Sequence, residues 1–233
     1  MYQSWLLLPI LGIGPYLFPR FWGHPSGHAF DTSRTPPAGW WQKAGASLSI
    51  GLWMMAGFWW ESVGSELWGQ TMRAVGLLLW FGWQTPAFCK AKVPTTPGTA
   101  VRWALISAAV GWVCAGAWPA ARVGSLHLYF VSGIGLLALT AGTRVVLGHA
   151  GRHDLLAGKI VWLRWVVGLA FLAATTRMTA DWFPKVRLSH LNYAAWTWCL
   201  ICVIWLVALG RFLFAEEDDE QKTPPKKRCP RRR

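Results

Sequence analysis

The sequence predicts an all-α fold, a polytopic transmembrane helix bundle of about seven helices, on three observations. Only 14% of its 233 residues are charged while 54% are hydrophobic, and the mean hydropathy is +0.30. So few charges cannot clothe a water-facing surface. The apolar residues also gather into stretches of roughly 17 to 25 residues, the length a helix needs to cross the hydrocarbon core. Finally, the 19 Trp recur near the ends of those stretches, at Trp22, Trp40, Trp41, Trp59, Trp60, Trp118, Trp162 and Trp182. An indole has an apolar body and a polar edge, which suits the headgroup level.

The spans are expected at 3–19, 41–60, 71–88, 101–119, 123–147, 158–180 and 190–212. The first is short and carries Pro9 and Pro15, each of which kinks a helix, so a bundle of six helices with an interfacial first segment is the alternative. That segment lacks the basic leader and small-residue cleavage site of a signal peptide and is read as a helix of the bundle. The fifth span is the longest, and its Gly124, Ser132, Gly135 and Gly142 allow neighbouring helices to approach closely. Residues 1–212 thus form the bundle, and 213–233 form a charged, disordered cytoplasmic tail. In the tail the acidic run Glu216 to Glu220 precedes seven Lys and Arg between Lys222 and Arg233, and Pro224 and Pro225 oppose helix there. Such a tail suits contact with anionic lipid.

Orientation follows from alternate loops, because cytoplasmic loops carry the Lys and Arg excess. One side holds 18 of these residues, from Arg20, Arg34 and Lys43 to Arg211 and the tail; the other holds Arg73, Arg122, Arg177, Lys185 and Arg187. The N-terminus is therefore expected outside and the C-terminus in the cytoplasm, with the lipid bilayer as the principal partner. The formal charge of +13 lies in loops and tail rather than in a basic stripe on a soluble fold, so nucleic acid is not an expected partner.

Charges are scarce at the expected helix centres. Glu61, Arg144, Arg164, Arg177 and Asp181 fall near span ends, where long side chains reach the interface. Proton-coupled carriers and ion pumps need ionisable groups at mid-membrane, so that class is disfavoured. No nucleophile with an adjacent base is visible, which disfavours a hydrolase. Gly12 and Gly14 follow no strand and lack a phosphate-binding Lys, so they do not make a nucleotide loop. Cys199 and Cys202 have the spacing of a thiolate pair for Cu(I), but buried Cys more often serves packing.

The six histidines are the most informative polar groups, since neutral imidazole is a common ligand of metal and haem iron. His127 and His190 fall on the outer side, whereas His149, His153, His24 and His28 fall on the inner side. His127 and His149 lie 22 residues apart on one helix, about 33 Å at 1.5 Å per residue, and cannot share a metal. The outer reading pairs His127 with His190 as axial haem ligands or as part of a copper site. The plain alternative is two interfacial histidines bonded to headgroups or backbone. The inner pairs His24/His28 and His149/His153 have i, i+4 spacing, but Pro25, Gly27 and Gly151 oppose regular helix there.

The run Leu126-His127-Leu128 through Thr143-Arg144-Val145-Val146-Leu147-Gly148-His149-Ala150-Gly151-Arg152 resembles the late-helix signature of the NnrS family. There a Leu-His pair opens a glycine-rich helix that closes on Thr-Arg and a Leu-Gly-His turn. Leu6 to Gly23, with Leu17-Phe18-Pro19-Arg20-Phe21, is similar to the segment that begins the second half of those proteins. The resemblance implies a multi-pass protein of the bacterial cytoplasmic (inner) membrane that contains haem and copper and is linked to nitric oxide and nitrosative stress. It implies cofactor-binding roles for His127, Arg144 and His149, with His190 less firmly matched, and metal ligation by His127 and His190. It assigns no reaction. Family members are about twice as long and have a His-rich helix in their first half, so the chain is expected to pair with a second membrane subunit or to form a homo-oligomer. Two alternatives stand beside this reading: a cofactor-free membrane subunit of a larger redox or transport complex, and a quinol-linked dihaem electron carrier.

Overall fold

The computed structural model describes residues 2–24, 39–85, 88–89 and 91–213. Among these residues there are helices and no strands. Seven long helices follow one another: α1 (Tyr2–Phe21), α2 (Trp40–Val63), α3 (Glu66–Gln84), α4 (Thr96–Ala117), α5 (Pro119–His149), α7 (Val161–Trp182) and α8 (Pro184–Leu213). A single turn, α6 (His153–Leu156), lies between α5 and α7. The long helices match the seven expected spans in order, and α1 runs through both prolines. His28 and residues 214–233 lie outside the described residues.

Three helices, α4, α5 and α8, are long and apolar enough by length and composition to cross a membrane. The others fall short on composition for visible reasons. Helix α2 holds five Trp, whose N–H counts as polar although the ring is apolar. Helices α3 and α7 carry Glu66, Gln70 and Arg73, and Arg164, Arg177 and Asp181, respectively.

Helix α4 occupies the middle of the bundle. Its start is fixed by Thr95, whose Oγ1 accepts the Gly98 N–H at 3.1 Å, with Pro97 in the first turn, where its missing N–H costs nothing. Small residues let other helices come close to it: Ala100, Ala104, Ala108, Gly111 and Ala115 are all buried. Helix α3 packs on one side of α4 and α5 on another, while α7 bridges α5 and α8. Helices α2 and α3 form an antiparallel hairpin through only Gly64 and Ser65. The core includes Trp22, Leu77, Trp80, Phe81, Trp112 and Tyr129. In contrast, Trp41, Leu52 and Trp59 on α2 and Trp196, Val203 and Val207 on α8 are exposed, an apolar exterior too large for a protein solvated by water alone.

Helix α5 is not uniformly α-helical. It opens with a 3₁₀ turn (Pro119–Ala121), continues as α-helix over Arg122–His127, widens to π-helix over Leu128–Gly135 and returns to α-helix over Leu136–His149. A π segment shifts the hydrogen-bond ladder by one residue and needs support for its carbonyls. Ser132 Oγ and Ser107 Oγ lie 3.1 and 3.2 Å from the Leu128 carbonyl and 2.6 Å from each other. Both serines are buried, so α4 and α5 share one polar contact where the ladder changes.

Candidate functional site

At the end of the bundle where α5 and α8 begin, Asp181 of α7 organises three elements. Its Oδ2 accepts the Gly124 N–H at 2.7 Å, serving as a cap for α5 supplied by another helix. Its Oδ1 accepts from Arg177 at 3.1 Å and lies 3.9 Å from the Arg187 guanidinium of α8. Only glycine admits this approach, because a Cβ at Gly124 would stand 2.8 Å from Asp181 Oδ2 and 2.9 Å from the Met178 carbonyl. The register of the α5 start against α7, and hence the position of His127, is set here.

His127 lines a pocket of about 260 Å³ together with Val131, Ala173, Arg177, Leu191, Ala194, Ala195 and Trp198. The His127 Nδ1 lies 2.7 Å from the Val123 carbonyl. A carbonyl only accepts, so Nδ1 carries the proton and Nε2 keeps its lone pair. His190 on α8 reaches the same tautomer by another route. Its Nδ1 lies 3.0 Å from Thr179 Oγ1, and that hydroxyl gives its own proton to the Thr176 carbonyl at 2.9 Å. Thr179 therefore accepts from His190, and the lone pair again falls on Nε2. Both imidazoles are oriented by a hydrogen bond on the far nitrogen, as ligating histidines are. His190 precedes Leu191 of the pocket wall but does not itself line the pocket.

The donor set can be tested against the groups the sequence suggested. Among the described residues no group of three or more His, Cys, Asp or Glu is gathered as a metal cage. His127 stands on the pocket wall and His190 on the neighbouring helix outside the lining, so within the pocket the described residues offer one imidazole, beside an Arg177 that is paired with Asp181.

The remaining predicted site residues lie elsewhere. Arg144 follows His127 by 17 residues on the same helix, which is about 25 Å; its guanidinium sits over the Phe21 ring at 4.9 Å. His149 is exposed at the end of α5, beyond a lock formed by Trp205, whose indole N–H lies 3.0 Å from both the Leu139 carbonyl and Thr143 Oγ1. Arg144 and His149 thus belong to the opposite end from His127 and His190. Cys199 and Cys202 are free thiols.

The sequence did not reveal the ionic core between α2, α3 and α5. Glu61 and Arg73 pair at 2.5 Å, and the Arg73 side chain is 0% exposed. Arg122 bonds both Glu61 and Glu66, and Gln70 donates to Glu61 at 3.3 Å. The Arg73 guanidinium lies over Phe58 at 3.9 Å and 5.9 Å from Trp112, which stacks on Tyr129. By spacing, Arg73 counted only among the few basic residues flanking the outer side, whereas the tight α2–α3 hairpin turns it inward onto Glu61. No pattern within either helix alone signals that pairing.

No curated protein and no solved structure matches the chain. A family model described as NnrS protein matches residues 2–216, a range that holds all the described helices and both His127 and His190. On that match the chain belongs to the NnrS family.

Proposed function

We propose that this chain is a multi-pass protein of the bacterial cytoplasmic membrane, with the N-terminus outside, that binds haem or copper through His127 and His190 and contributes to the response to nitric oxide. One observation carries the reading: His127 stands on a pocket wall beside Arg177 with its Nδ1 proton committed to Val123, which leaves Nε2 as a ligand. His190, oriented by Thr179, supplies the second imidazole. Asp181 holds the start of α5 and the Arg177 guanidinium in place. Haem iron or copper would be held by His127, with His190 as the second imidazole, and would supply a redox-active metal centre of the kind that reacts with nitric oxide. The link to nitric oxide rests on the family resemblance, and the orientation on the Lys and Arg excess at the end bearing Arg144, Arg152, Lys159, Arg164 and Arg211. Arg144, over Phe21, is there a counter-charge for a headgroup or another anionic group.

The test is the haem and copper content of the full chain purified in detergent. A Soret band or bound copper is expected in the wild type and is expected to disappear in His127→Ala. His190→Ala is expected to weaken it, and His153→Ala, in an exposed turn, to leave it unchanged. A colourless, metal-free and folded preparation would overturn the cofactor reading in favour of a cofactor-free subunit. Two separable redox potentials would instead mark a dihaem electron carrier.

A further inference from the structure

A second pocket, of about 270 Å³, lies at the opposite end of the bundle between the start of α4 and the start of α7. Pro94, Thr95, Thr96, Thr99, Ala100 and Trp103 form one wall, and Lys159, Arg164 and Val167 the other. Three features give it a chemical character. First, Lys159 and Arg164 both face it, and neither side chain has a partner among the described residues. The one carboxylate described at this end, Asp154, is already held by Arg152 at 2.9 and 3.0 Å. Second, Thr96 is 7% exposed. Its Oγ1 accepts the Ile160 N–H at 3.0 Å, and its own proton has no acceptor among the described residues, so it is a buried donor in the wall. Third, Pro94, Ala100, Trp103 and Val167 give the lining an apolar part, the Trp103 indole is half-exposed, and the exposed Trp165 follows Arg164 in sequence.

Two unpaired cations and a spare hydroxyl donor call for an oxyanion, and the shared chemistry is that of a phosphate group. The apolar wall and the indole decide between sources. A free phosphate gains nothing from Ala100, Val167 or the face of Trp103, whereas a phospholipid lays its acyl chains along them while its headgroup meets Lys159 and Arg164. Basic pockets between transmembrane helices on the cytoplasmic side bind anionic headgroups in this way. The α4 N-terminus adds little, since Thr95 already caps it.

We propose that the pocket between α4 and α7 is a binding site for the phosphate of an anionic phospholipid, held by Lys159, Arg164 and the Thr96 hydroxyl.

The experiment is native mass spectrometry of the full chain in a detergent containing phosphatidylglycerol and phosphatidylcholine in equal amounts. The wild type is expected to retain phosphatidylglycerol preferentially, and Lys159→Gln/Arg164→Gln to lower that preference roughly thirtyfold, the scale of two lost surface-level cation contacts. A second double variant, Lys92→Gln/Arg211→Gln, removes the same charge from exposed positions at the same end and is expected to keep it. Both pairs are exposed, and unchanged thermal unfolding in phosphatidylcholine alone confirms that each variant is folded. An equal loss in both double variants would reduce the effect to general surface charge and overturn the proposal. Inorganic phosphate, titrated against lipid-free protein, is expected to leave the melting temperature unmoved. Protection of the wild type but not of Lys159→Gln/Arg164→Gln, with lipid preference unaffected by that variant, would assign the pocket to a soluble anion and overturn it equally.

Discussion

Glu61→Ala is expected to destabilise the protein by about 3 to 5 kcal/mol, the range for removing one partner of a buried ion pair. The loss is large because Arg73 is fully buried and Glu61 is its carboxylate. Without Glu61, Arg73 keeps only the faces of Phe58 and Trp112, and cation–π attraction contributes roughly 1 to 2 kcal/mol, too little to replace the ion pair. The reverse substitution is not equivalent. In Arg73→Met, Glu61 retains Arg122 and Gln70, so it is not left without a partner, and the linear thioether fills much of the vacated volume between Phe58 and Trp112. The expected loss is about 1 to 2 kcal/mol, close to that of an ordinary core substitution. The double variant Glu61→Ala/Arg73→Met should then be more stable than Glu61→Ala alone, because it removes the uncompensated cation. Thermal unfolding of the three variants in one detergent, followed by tryptophan fluorescence, reads the order directly. A double variant whose loss equals the sum of the two single losses would show that the two groups do not interact in the folded protein.

Gly69→Ala is the second large effect, expected to cost about 2 kcal/mol or more, at the upper part of the range for overpacking. A Cβ at Gly69 would lie 2.6 Å from the Gly57 carbonyl oxygen, 2.7 Å from the Glu61 Cβ and 2.8 Å from the Glu61 backbone nitrogen. The obstacles are mostly backbone of α2, which cannot swing aside as a side chain does, so the two helices must part. Parting them also draws Glu61 away from Arg73. The gain in helix propensity from replacing glycine, about 1 kcal/mol, offsets only part of this. Gly168→Ala is the matched control, because a Cβ there meets nothing within 4 Å. It is expected to be neutral or to stabilise slightly, by up to about 1 kcal/mol. If both variants melt together, the close crossing of α2 and α3 does not limit stability.

The helical layers were legible in the sequence because lipid imposes one simple demand, a run of apolar residues long enough to satisfy its own backbone. Helix α8, from Pro184 to Leu213, is apolar almost throughout and is easily read. The His127 position was legible too, since an imidazole at the edge of a long apolar run is uncommon enough to notice. What gives His127 its tautomer was only partly visible. The Val123 carbonyl is a neighbour four residues away on the same helix, but the Asp181 cap on Gly124 joins groups 57 positions apart. The Thr179–His190 bond spans a turn between α7 and α8 that sequence spacing does not resolve. The inward turn of Arg73 was hidden for the same reason: its depth depends on a two-residue hairpin and on Gly57 and Gly69 facing each other, not on its place within α3. The basic pocket between α4 and α7 likewise needs residues from two helices, and along the chain Lys159 and Arg164 read only as part of a general positive charge.

The widened stretch Leu128–Gly135 in α5 makes that helix two rods joined out of phase. Such a widening accommodates an extra residue relative to regular winding. Excising one residue within it would let the ladder close as ordinary α-helix while turning the upper rod, which bears His127, by about 100° relative to the lower one, which bears Arg144 and His149. The stretch is thus a phase adjuster: by gaining or shedding a single position, the polypeptide can re-aim one imidazole around its axis while the far half of the rod keeps its contacts with α8.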